Sequence, residues 1–514
     1  MDLLVRLLIA AILISLSACA ANPVTGKNEL SLVSEKTELA VGEKHYAPTR
    51  QQQGGDYVIE PELTAYIERV GQRLAKVADR KLPYEFKIIN DSTPNAWAMP
   101  GGKISINRGL LIEMQSEAEL AAVLAHEIVH AAARHGAQSM ERDMLIQGAL
   151  VATSVALADS KYRDIGVLGA NIGAQLTQQQ YSREAEREAD HYGIIYMVRA
   201  GYDPNTAVTL QETFVRLAES KQRNWLEGLF ASHPPSRERV ENNRKQVARL
   251  RTKGGEIGHD RYQKMVKRIR RTQPAYEAYE EAEKALDDGD EAKALHLVNK
   301  ALKIEPKEAL FHSLRGDIRQ DQKRNKDALT NYNRAMALNP NYFRIPLMRG
   351  LLKQTTGDKT GAERDLNRSA KLLPTAEAYL GLGMVAQSRG QNKAAIQHYR
   401  KASSSKSTSG KRAAVQLAKL DLERNPSNYI KSGIGLNKSM VVIQVKNTSA
   451  VPVRNLRVVL GLKKGFTIAD KATYRIRRTL KPGESINIKT DVGPVNAKTA
   501  RQLSALVEQA RIVN

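Results

Sequence analysis

The sequence predicts a multidomain α+β protein: a mixed domain of helices with a small sheet, then an α-solenoid of repeats, then a small β-sandwich. Three observations lead to this prediction. Short strand patterns precede a long capped helix, a 34-residue period begins near residue 273, and alternating strand patterns begin near residue 429. At roughly 100–200 residues per domain, 514 residues suit three or four domains. The expected boundaries are 1–18 for a leader, 19–55 for a tether, 56–272 for the mixed domain, 273–424 for the repeats with a capping helix, and 425–514 for the sandwich.

The leader is almost entirely apolar and is shorter than the ~20 residues that span a bilayer as a helix. It therefore fits the hydrophobic part of a secretory signal. Its end, Leu16-Ser17-Ala18-Cys19, resembles the bacterial lipobox, in which the cysteine becomes the first mature residue and carries lipid. We therefore predict a lipoprotein signal peptide over 1–18 and lipid on Cys19, with a plain signal peptide as the alternative. By the same resemblance, Ala20 rather than Asp after the cysteine implies delivery through the periplasm to the outer membrane.

The composition excludes several classes of protein and leaves a charge asymmetry to explain. Because the chain has one cysteine, it has no intrachain disulfide framework and no Cys-rich zinc or iron–sulfur site. Residues 276–514 carry 43 basic and 23 acidic side chains, whereas residues 1–275 carry 36 and 32. The basic half therefore favours anionic partners, although a solvated surface without a partner would look the same. Export removes nucleic acid from these partners and leaves lipid headgroups, lipopolysaccharide and acidic polypeptides.

The tether is expected to contain one short helix, Glu35–Glu43, before the mixed domain begins. Apolar residues at helical spacing then predict a helix from Pro61 onward. Three strands follow and form a small sheet just ahead of the main helix. The strands are predicted at Tyr84–Asn90, Trp97–Met99 and Lys103–Asn107.

The main helix has a defined beginning and contains a metal-binding motif. Ser116 and Glu119 form a capping box, and Gly136 is the expected end. Within it lies His126-Glu127-Ile128-Val129-His130, whose histidines are four residues apart and share one face of the helix. Two imidazoles placed in this way can bind one zinc ion, and Glu127 can take a proton from water at the open side of the metal. The motif predicts a zincin-type HExxH domain with one Zn²⁺ per chain.

A catalytic zinc needs a third protein ligand, and an acidic helix supplies candidates. This helix is predicted from about Gln175 to Arg199, with a stop at Gly201. Glu186 and Asp190 share one face of it, so that one can bind the metal while the other reaches a ligand histidine. The neighbouring glutamates suit a solvated face, and composition alone does not choose among the acidic residues.

The repeats are recognised by phase as well as by period. Pro306, Pro340 and Pro374 lie 34 residues apart, which is the tetratricopeptide period. Small residues recur at matching positions and let paired helices approach each other, as at Gly316 and Gly350. About four repeats are expected over 275–409, followed by a capping helix near Lys411–Arg424 and then by the strands of a small β-sandwich.

The motifs resemble those of a known family, the HtpX- and CAAX-prenyl-protease-like zinc metallopeptidases (metallopeptidase family forty-eight), in their exported bacterial branch with tetratricopeptide repeats. Carried over by position, the resemblance implies that His126, His130 and Glu186 bind zinc. It also implies that Glu127 is the general base and that Asp190 is an acid beside the ligands that is often assigned as the proton donor, both counted as catalytic, and it raises His233 as a fourth, gating ligand. The matching segments are Asn22–Gly26, Asn95–Gly102, His126–His130 with Arg134-His135, Glu186–Asp190 and His233–Arg237.

The resemblance implies a zinc metalloendopeptidase that hydrolyses misfolded or misassembled envelope proteins, with clients or an outer-membrane assembly machinery bound by the repeats. The alternative is a repeat-based scaffold or chaperone whose zinc site is latent. An intramembrane prenyl-protein protease is excluded because the apolar stretch Ile146–Ala174 is interrupted by four charged residues. His135, five residues after His130, is expected to pack at the helix end or to lie in solvent rather than on the metal.

Overall fold

A computed structural model of the chain describes residues 19–144, 181–219, 228–250, 252, 254–464 and 467–513. The leader 1–18 and the whole stretch Ile146–Ala174 lie outside these residues. The predicted fold class is confirmed: a mixed domain comes first, helical repeats follow, and strands form the C-terminal part. The chain divides into two compact units, one comprising 1–322 with 337–342 and the other comprising 323–336 with 343–514.

The segment expected to be a tether is part of the first unit, so this prediction is wrong. Strands β1 (Cys19–Ala21) and β2 (Asn28–Leu30) pair antiparallel, and helix α1 (Glu35–Gln52) runs nine residues beyond the predicted end at Glu43. The helix continues because its buried face continues: Glu38, Gly42, Tyr46 and Arg50 recur every four residues and are all buried.

The small sheet matches its prediction closely. It has the order β3–β5–β4, in which β5 pairs parallel with β3 and antiparallel with β4. Helix α2 packs on this sheet, and α3 leads from the last strand into the metal-binding helix α4. The elements are α2 (Pro61–Ala75), β3 (Glu85–Ile89), β4 (Ala96–Met99), β5 (Lys103–Asn107), α3 (Arg108–Glu113) and α4 (Glu117–Ala132).

Helix α4 ends earlier than expected. Arg134, not Gly136, adopts the left-handed backbone conformation, with φ of 63°. Its side chain holds the chain there by donating to Ser31 Oγ at 2.7 Å, to the Val33 carbonyl and to the Glu38 carboxylate. Contacts of Arg134 with acceptors distant in sequence therefore end the helix before Gly136, the local signal that predicted its end.

Among the described residues, four further helices with defined bounds belong to the mixed domain. The acidic helix α5 begins after Ser182, whose hydroxyl accepts from the Ala185 N–H at 3.1 Å, and Gly201 ends it with φ of +81°. The predicted stretch before residue 181 lies outside the described part of the chain. The helices are α5 (Arg183–Arg199), α6 (Asn205–Glu219), α7 (Leu229–Ser232) and α8 (Arg237–Leu250).

The repeat helices pair through small residues, as their phase predicts. Ala294, Ala328, Ala362 and Ala395 are fully buried. A Cβ atom at Gly383 would lie 2.4 Å from the Tyr399 ring, so only glycine permits this approach of paired helices. The helices are α9 (His259–Asp287), α10 (Glu291–Ile304), α11 (Ala309–Asp321), α12 (Asn325–Leu338), α13 (Arg344–Thr356), α14 (Lys359–Leu372), α15 (Ala376–Ser388), α16 (Asn392–Ser403) and α17 (Thr408–Asp421).

The C-terminal residues form two three-stranded antiparallel sheets, with strand orders β10–β7–β6 and β11–β8–β9. Apolar residues of both sheets share one core, including Val441, Ile443, Val458 and Val507. Within the described residues, no helix is both long and apolar enough to cross a membrane. The elements are β6 (Ile430–Asn437), β7 (Met440–Asn447), β8 (Val453–Lys464), β9 (Thr467–Ile476), β10 (Ser485–Lys489), α18 (Ala497–Ala500) and β11 (Leu503–Ile512).

Candidate metal centre

Helices α4 and α5 lie against each other and present the predicted ligands to one point. Their close approach depends on Gly193, since a Cβ atom there would lie 3.3 Å from the backbone nitrogen of His126. The beginning of α4 is fixed by the Ser116 hydroxyl, which accepts from the Glu119 N–H at 3.2 Å. The capping box and the spacing of the motif therefore place His126 and His130 opposite the acidic face of α5.

Four side chains converge in the geometry of a single metal site. The ring nitrogens of His126 and His130 (both Nε2) are 3.1 Å apart, and Glu186 Oε1 lies 3.3 Å from His130 Nε2. His233 supplies the fourth donor: its Nδ1 lies 2.8 Å from Glu186 Oε1 and 3.3 Å from His126 Nε2. A tetrahedral zinc ion with bonds of 2.0–2.1 Å requires its ligand atoms to be about 3.3–3.4 Å apart. The donor set therefore fits zinc in both chemistry and spacing.

The charges around this site also fit a divalent cation. When ionised, Glu127, Glu186 and Asp190 carry three negative charges, whereas Arg239 carries one positive charge, and all four side chains are buried. Two negative charges remain to be neutralised. Burial alone lowers the pKa of His126, but the neighbouring Glu186 and Asp190 carboxylates outweigh it and raise that pKa to about 10. The site therefore attracts positive charge, as a metal site must.

Glu127 lies between the histidines in sequence and beside the donor set in space. It is 1% exposed, and its Oε2 atom has no hydrogen-bond partner among the described residues. Its other oxygen lies 3.5 Å from His233 Nε2. Burial raises the pKa of the Glu127 carboxyl, which makes this group a stronger base than an exposed glutamate.

Asp190 orients a ligand histidine and is itself held by an arginine. Its Oδ1 lies 3.1 Å from His126 Nδ1, and the guanidinium of Arg239 binds both of its oxygens at 2.7 Å. Burial alone would raise the pKa of Asp190, but Arg239 outweighs burial and lowers it. Arg239 also lies 2.9 Å from Glu186 Oε2. The buried Arg239 guanidinium therefore contacts both the third ligand, Glu186, and Asp190, which orients His126.

The second histidine of the motif has its own support. His130 Nδ1 lies 2.9 Å from His135 Nδ1, and the Tyr181 ring stacks on the His130 ring with centroids 3.9 Å apart. His135 is 3% exposed and contacts Glu188, so it is neither solvated nor a metal ligand. Glu188 in turn binds Lys27 at 2.8 Å. The Glu188 side chain, expected on a solvated face, is thus part of a chain of contacts that begins at a ligand.

A narrow cavity of about 50 Å³ adjoins the donor set. His126, Glu127 and His233 line one side of it, whereas the rest of the wall is largely apolar. The apolar lining includes Ile194, Met197, Leu210, Phe214 and Leu229.

The structure brings together all six residues predicted for the metal centre: His126, Glu127, His130, Glu186, Asp190 and His233. Of Cys19 it describes only the backbone, in β1.

Sequence reasoning missed Arg239 and Tyr181, whereas His135 packs beside His130 just beyond the end of α4, which is one of the two surroundings expected for it. A signal for Arg239 was present, because it lies one turn before Asn243 and two turns before Val247 on the buried face of α8.

A helix bearing HExxH, a facing carboxylate helix and a buried set of zinc-type donors define an HExxH metallopeptidase. A profile of peptidase family M48 matches residues 61–247, and a tetratricopeptide repeat profile matches residues 347–408. Metalloprotease YcaL of Escherichia coli is 30% identical over 193 residues, covering 36% of this chain and 74% of that protein. The chain belongs to peptidase family M48, which confirms the resemblance stated from its motifs.

Two further relatives carry a more specific name. The putative beta-barrel assembly-enhancing protease of Vibrio cholerae is 34% identical over 220 residues, covering 41% of this chain and 44% of that protein. The beta-barrel assembly-enhancing protease of Escherichia coli is 29% identical over 247 residues, covering 47% and 50%. The chain therefore spans about half the length of these two relatives.

Proposed function

We propose that the chain is a zinc-dependent endopeptidase of the bacterial cell envelope that hydrolyses misfolded or misassembled envelope and outer-membrane proteins. The observation that carries this proposal is the buried donor set of His126, His130 and Glu186 with the carboxylate of Glu127 beside it. Envelope quality control is supported by the names of the two beta-barrel assembly-enhancing proteases.

In this mechanism, zinc held by His126, His130 and Glu186 would supply Lewis-acid chemistry. Glu127 accepts a proton from the attacking water and returns it to the leaving amine. Its Oε2 atom, which has no hydrogen-bond partner among the described residues, can accept the proton, and burial raises the pKa of the carboxyl and so strengthens it as a base. Asp190 and Arg239 keep the His126 ring in place during these steps.

Two features support a polypeptide substrate. The cavity beside Glu127 suits an apolar side chain close to the cleaved bond. Strand β4, which pairs with β5, belongs to the segment where an extended substrate would add backbone hydrogen bonds, near Asn95–Pro100. The repeats would bind clients or a partner such as an outer-membrane assembly machinery.

The test compares zinc content and casein degradation of the mature protein with those of Glu127→Gln. We expect Glu127→Gln to retain zinc and to lose roughly 10²–10⁴-fold in rate, because it removes the base and keeps the ligands. Glu184→Gln, on the exposed side of α5, is the matched control and should keep full activity. Proteolysis by Glu127→Gln at the wild-type rate would exclude this carboxylate as the base.

A latent site is the second candidate, and the position of His233 favours it. Its Nδ1 atom completes a set of four protein donors, whereas catalysis needs one position free for water. His233 would then act as a gate that opens when a client or partner binds. If the gate never opens, the chain is a repeat-based scaffold or chaperone.

His233→Ala separates the gate from a direct role in catalysis. Gating predicts retained zinc and faster basal proteolysis, whereas donation to the developing oxyanion predicts retained zinc and a loss of roughly 10²–10³-fold. His191→Ala is the control, since His191 is an exposed histidine of α5 that contacts Gln246. Unchanged activity with unchanged zinc would contradict both roles.

Anchoring by lipid on Cys19, to the outer membrane, completes the proposal. Cys19→Ala should yield a soluble or unprocessed protein. Labelled fatty acid on that variant would contradict the assignment.

A further inference from the structure

One face of the C-terminal sheet β11–β8–β9 carries five exposed arginines, which we call the arginine face: Arg454, Arg457, Arg475, Arg477 and Arg511. It lies in a strongly basic region, since residues 425–514 contain 16 lysines and arginines but only 4 acidic residues.

The strand register sets these arginines against each other. Arg457 on the central strand lies directly opposite Arg475 on β9, and Arg454 lies directly opposite Arg511 on β11. A bulge at Asn455, with φ of 53°, adds a residue to β8 and brings both of its arginines to this face. Like charges placed directly opposite each other destabilise a sheet. The arrangement therefore costs stability unless something negative covers it.

Acidic side chains of the same chain neutralise only part of the positive charge of the arginine face. Glu508 binds Arg457 at 2.5 Å, and Glu423 binds Arg511 at 2.9 Å. Among the side chains that the structure describes, Arg454, Arg475 and Arg477 have no ion-pair partner. Three guanidinium groups thus remain available to an external anion.

The centre of the arginine face is a depression rather than a flat surface. It has a volume of about 330 Å³ and is lined by Arg457, Arg475, Arg477 and Gln509. This volume is near the lower end for sites that hold small molecules, so it suits a compact polar group more than a folded segment of another protein. Guanidinium groups bind phosphate oxygens in pairs, and Gln509 adds an amide donor.

We propose that the arginine face binds the phosphate headgroups of an anionic membrane. Charge complementarity and the size of the depression carry this inference, which is independent of the proposed peptidase activity. A lipid on Cys19 would bring the chain to such a membrane, but the arginine face would recognise the headgroups without it.

The test uses the full mature polypeptide, residues 20–514, made without lipid. Its binding to vesicles of phosphatidylcholine is compared with its binding to vesicles that also contain phosphatidylglycerol, at about 0.15 M salt. We expect strong binding only to the anionic vesicles. We also expect these vesicles to raise the melting temperature of the protein, because they neutralise the opposed arginines.

A charge-matched pair of triple variants locates the binding surface. Arg457→Gln with Arg475→Gln and Arg477→Gln should weaken vesicle binding about 100-fold, since each basic residue near an anionic surface contributes about five-fold. The control removes the same charge from the other sheet, where Lys431 also lies opposite Lys446. Lys431→Gln with Lys446→Gln and Lys489→Gln should weaken binding less than about five-fold. Peptidase activity and melting temperature of both variants establish that they are folded.

Four results would overturn the proposal. Equal losses in the two triple variants would show that net charge acts without a defined site. Equal binding to phosphatidylcholine vesicles would show that the net negative charge of the membrane plays no part. Full displacement from vesicles by millimolar inorganic phosphate would indicate a site for free phosphate, and preference for polyglutamate over vesicles would indicate an acidic protein partner.

Discussion

The metal centre and the arginine face are both clusters of charged side chains, yet they balance their charge in opposite ways. At the metal centre, Arg239 neutralises part of the charge of Asp190 and Glu186, and the remaining two negative charges suit a divalent cation. On the arginine face, arginines lie opposite arginines, and among the side chains that the structure describes only two of the five are paired with an acid. The comparison teaches that the charge left over in a cluster predicts the charge of what it binds.

The strongest test of this comparison removes a metal ligand. His130→Ala should reduce zinc from one ion per chain to nearly none. The remaining ligands His126 and Glu186, even together with the gating residue His233, do not form the complete donor set. It should also lower the melting temperature, since bound metal contributes to folding stability. Metal analysis checks the result, with His191→Ala as the control. Full zinc retention would break the assignment of the donor set.

A second test removes the compensating charge and leaves the ligands in place. Arg239→Met should weaken zinc binding about 10–100-fold, because it frees the Asp190 that orients His126. It should also cost about 3–5 kcal/mol in unfolding free energy, since a buried carboxylate loses its partner. Arg244→Met is the matched control on the same helix, where an exposed pair contributes only ~0–1 kcal/mol. Equal effects of the two variants would contradict the compensating role of Arg239.

A third cluster of charged side chains, in the repeats, shows how charge compensation makes stability depend on pH. Asp365 is buried and binds Arg349 at 2.6 Å and Lys353 at 2.8 Å. Burial alone would raise the pKa of Asp365, but these two cations outweigh it and lower the pKa below its ordinary value. The stabilisation is therefore complete above the unfolded pKa of ~3.9 and is lost as the pH falls through the lower folded pKa.

Asp365→Asn should accordingly lower the urea midpoint strongly at pH 7 and much less near pH 3. The control is Asp327→Asn, which breaks an exposed pair with Arg324 and should have a small effect at both pH values. Equal destabilisation by Asp365→Asn at both pH values would mean that packing, not charge, holds this residue.

The smallest expected effect lies on the arginine face. Arg475→Gln should raise the unfolding free energy by about 0.2–1 kcal/mol in the absence of lipid, because it relieves the repulsion from Arg457. Thermal melting at low salt measures this difference, and added salt should reduce it. A loss of stability on substitution would show that the arginines are not in conflict, and would remove the reason for seeking an anion there.

Local sequence patterns predicted the parts of the site that depend on one helix at a time. The spacing of His126 and His130, and of Glu186 and Asp190, follows from helical periodicity, and resemblance selected among the acidic residues. Arg239 was not predicted, because the charged run Arg237-Glu238-Arg239 alone does not reveal which side chain is buried, and its spacing with Asn243 and Val247 was not used. Tyr181 was not predicted either, since its role depends on how α5 enters the fold.

In the fold as well, local patterns predicted the features that depend on neighbouring segments and missed those that depend on long-range contacts. The 34-residue period predicted the repeats because each helix pair contacts mainly its neighbours. The tether and the end of α4 were wrong for a shared reason: Arg134 reaches residues about 100 positions earlier in the chain, and no local pattern records such a contact. Local sequence propensity predicts the structure of single segments. The docked N-terminal segment and the end of α4 depend on contacts between segments that are distant in sequence.

The docked N-terminal segment limits the distance between the metal centre and any lipid attached to Cys19. The Asn22 amide donates to the carbonyl of Ala133 at 2.9 Å, and Ala133 lies one turn beyond the ligand His130. Asn22 lies three positions after Cys19, a reach of at most ~11 Å. With lipid on Cys19, the metal centre would stay within roughly 20 Å of the point of attachment. Such an enzyme would cut what lies against the bilayer and spare what diffuses beyond it.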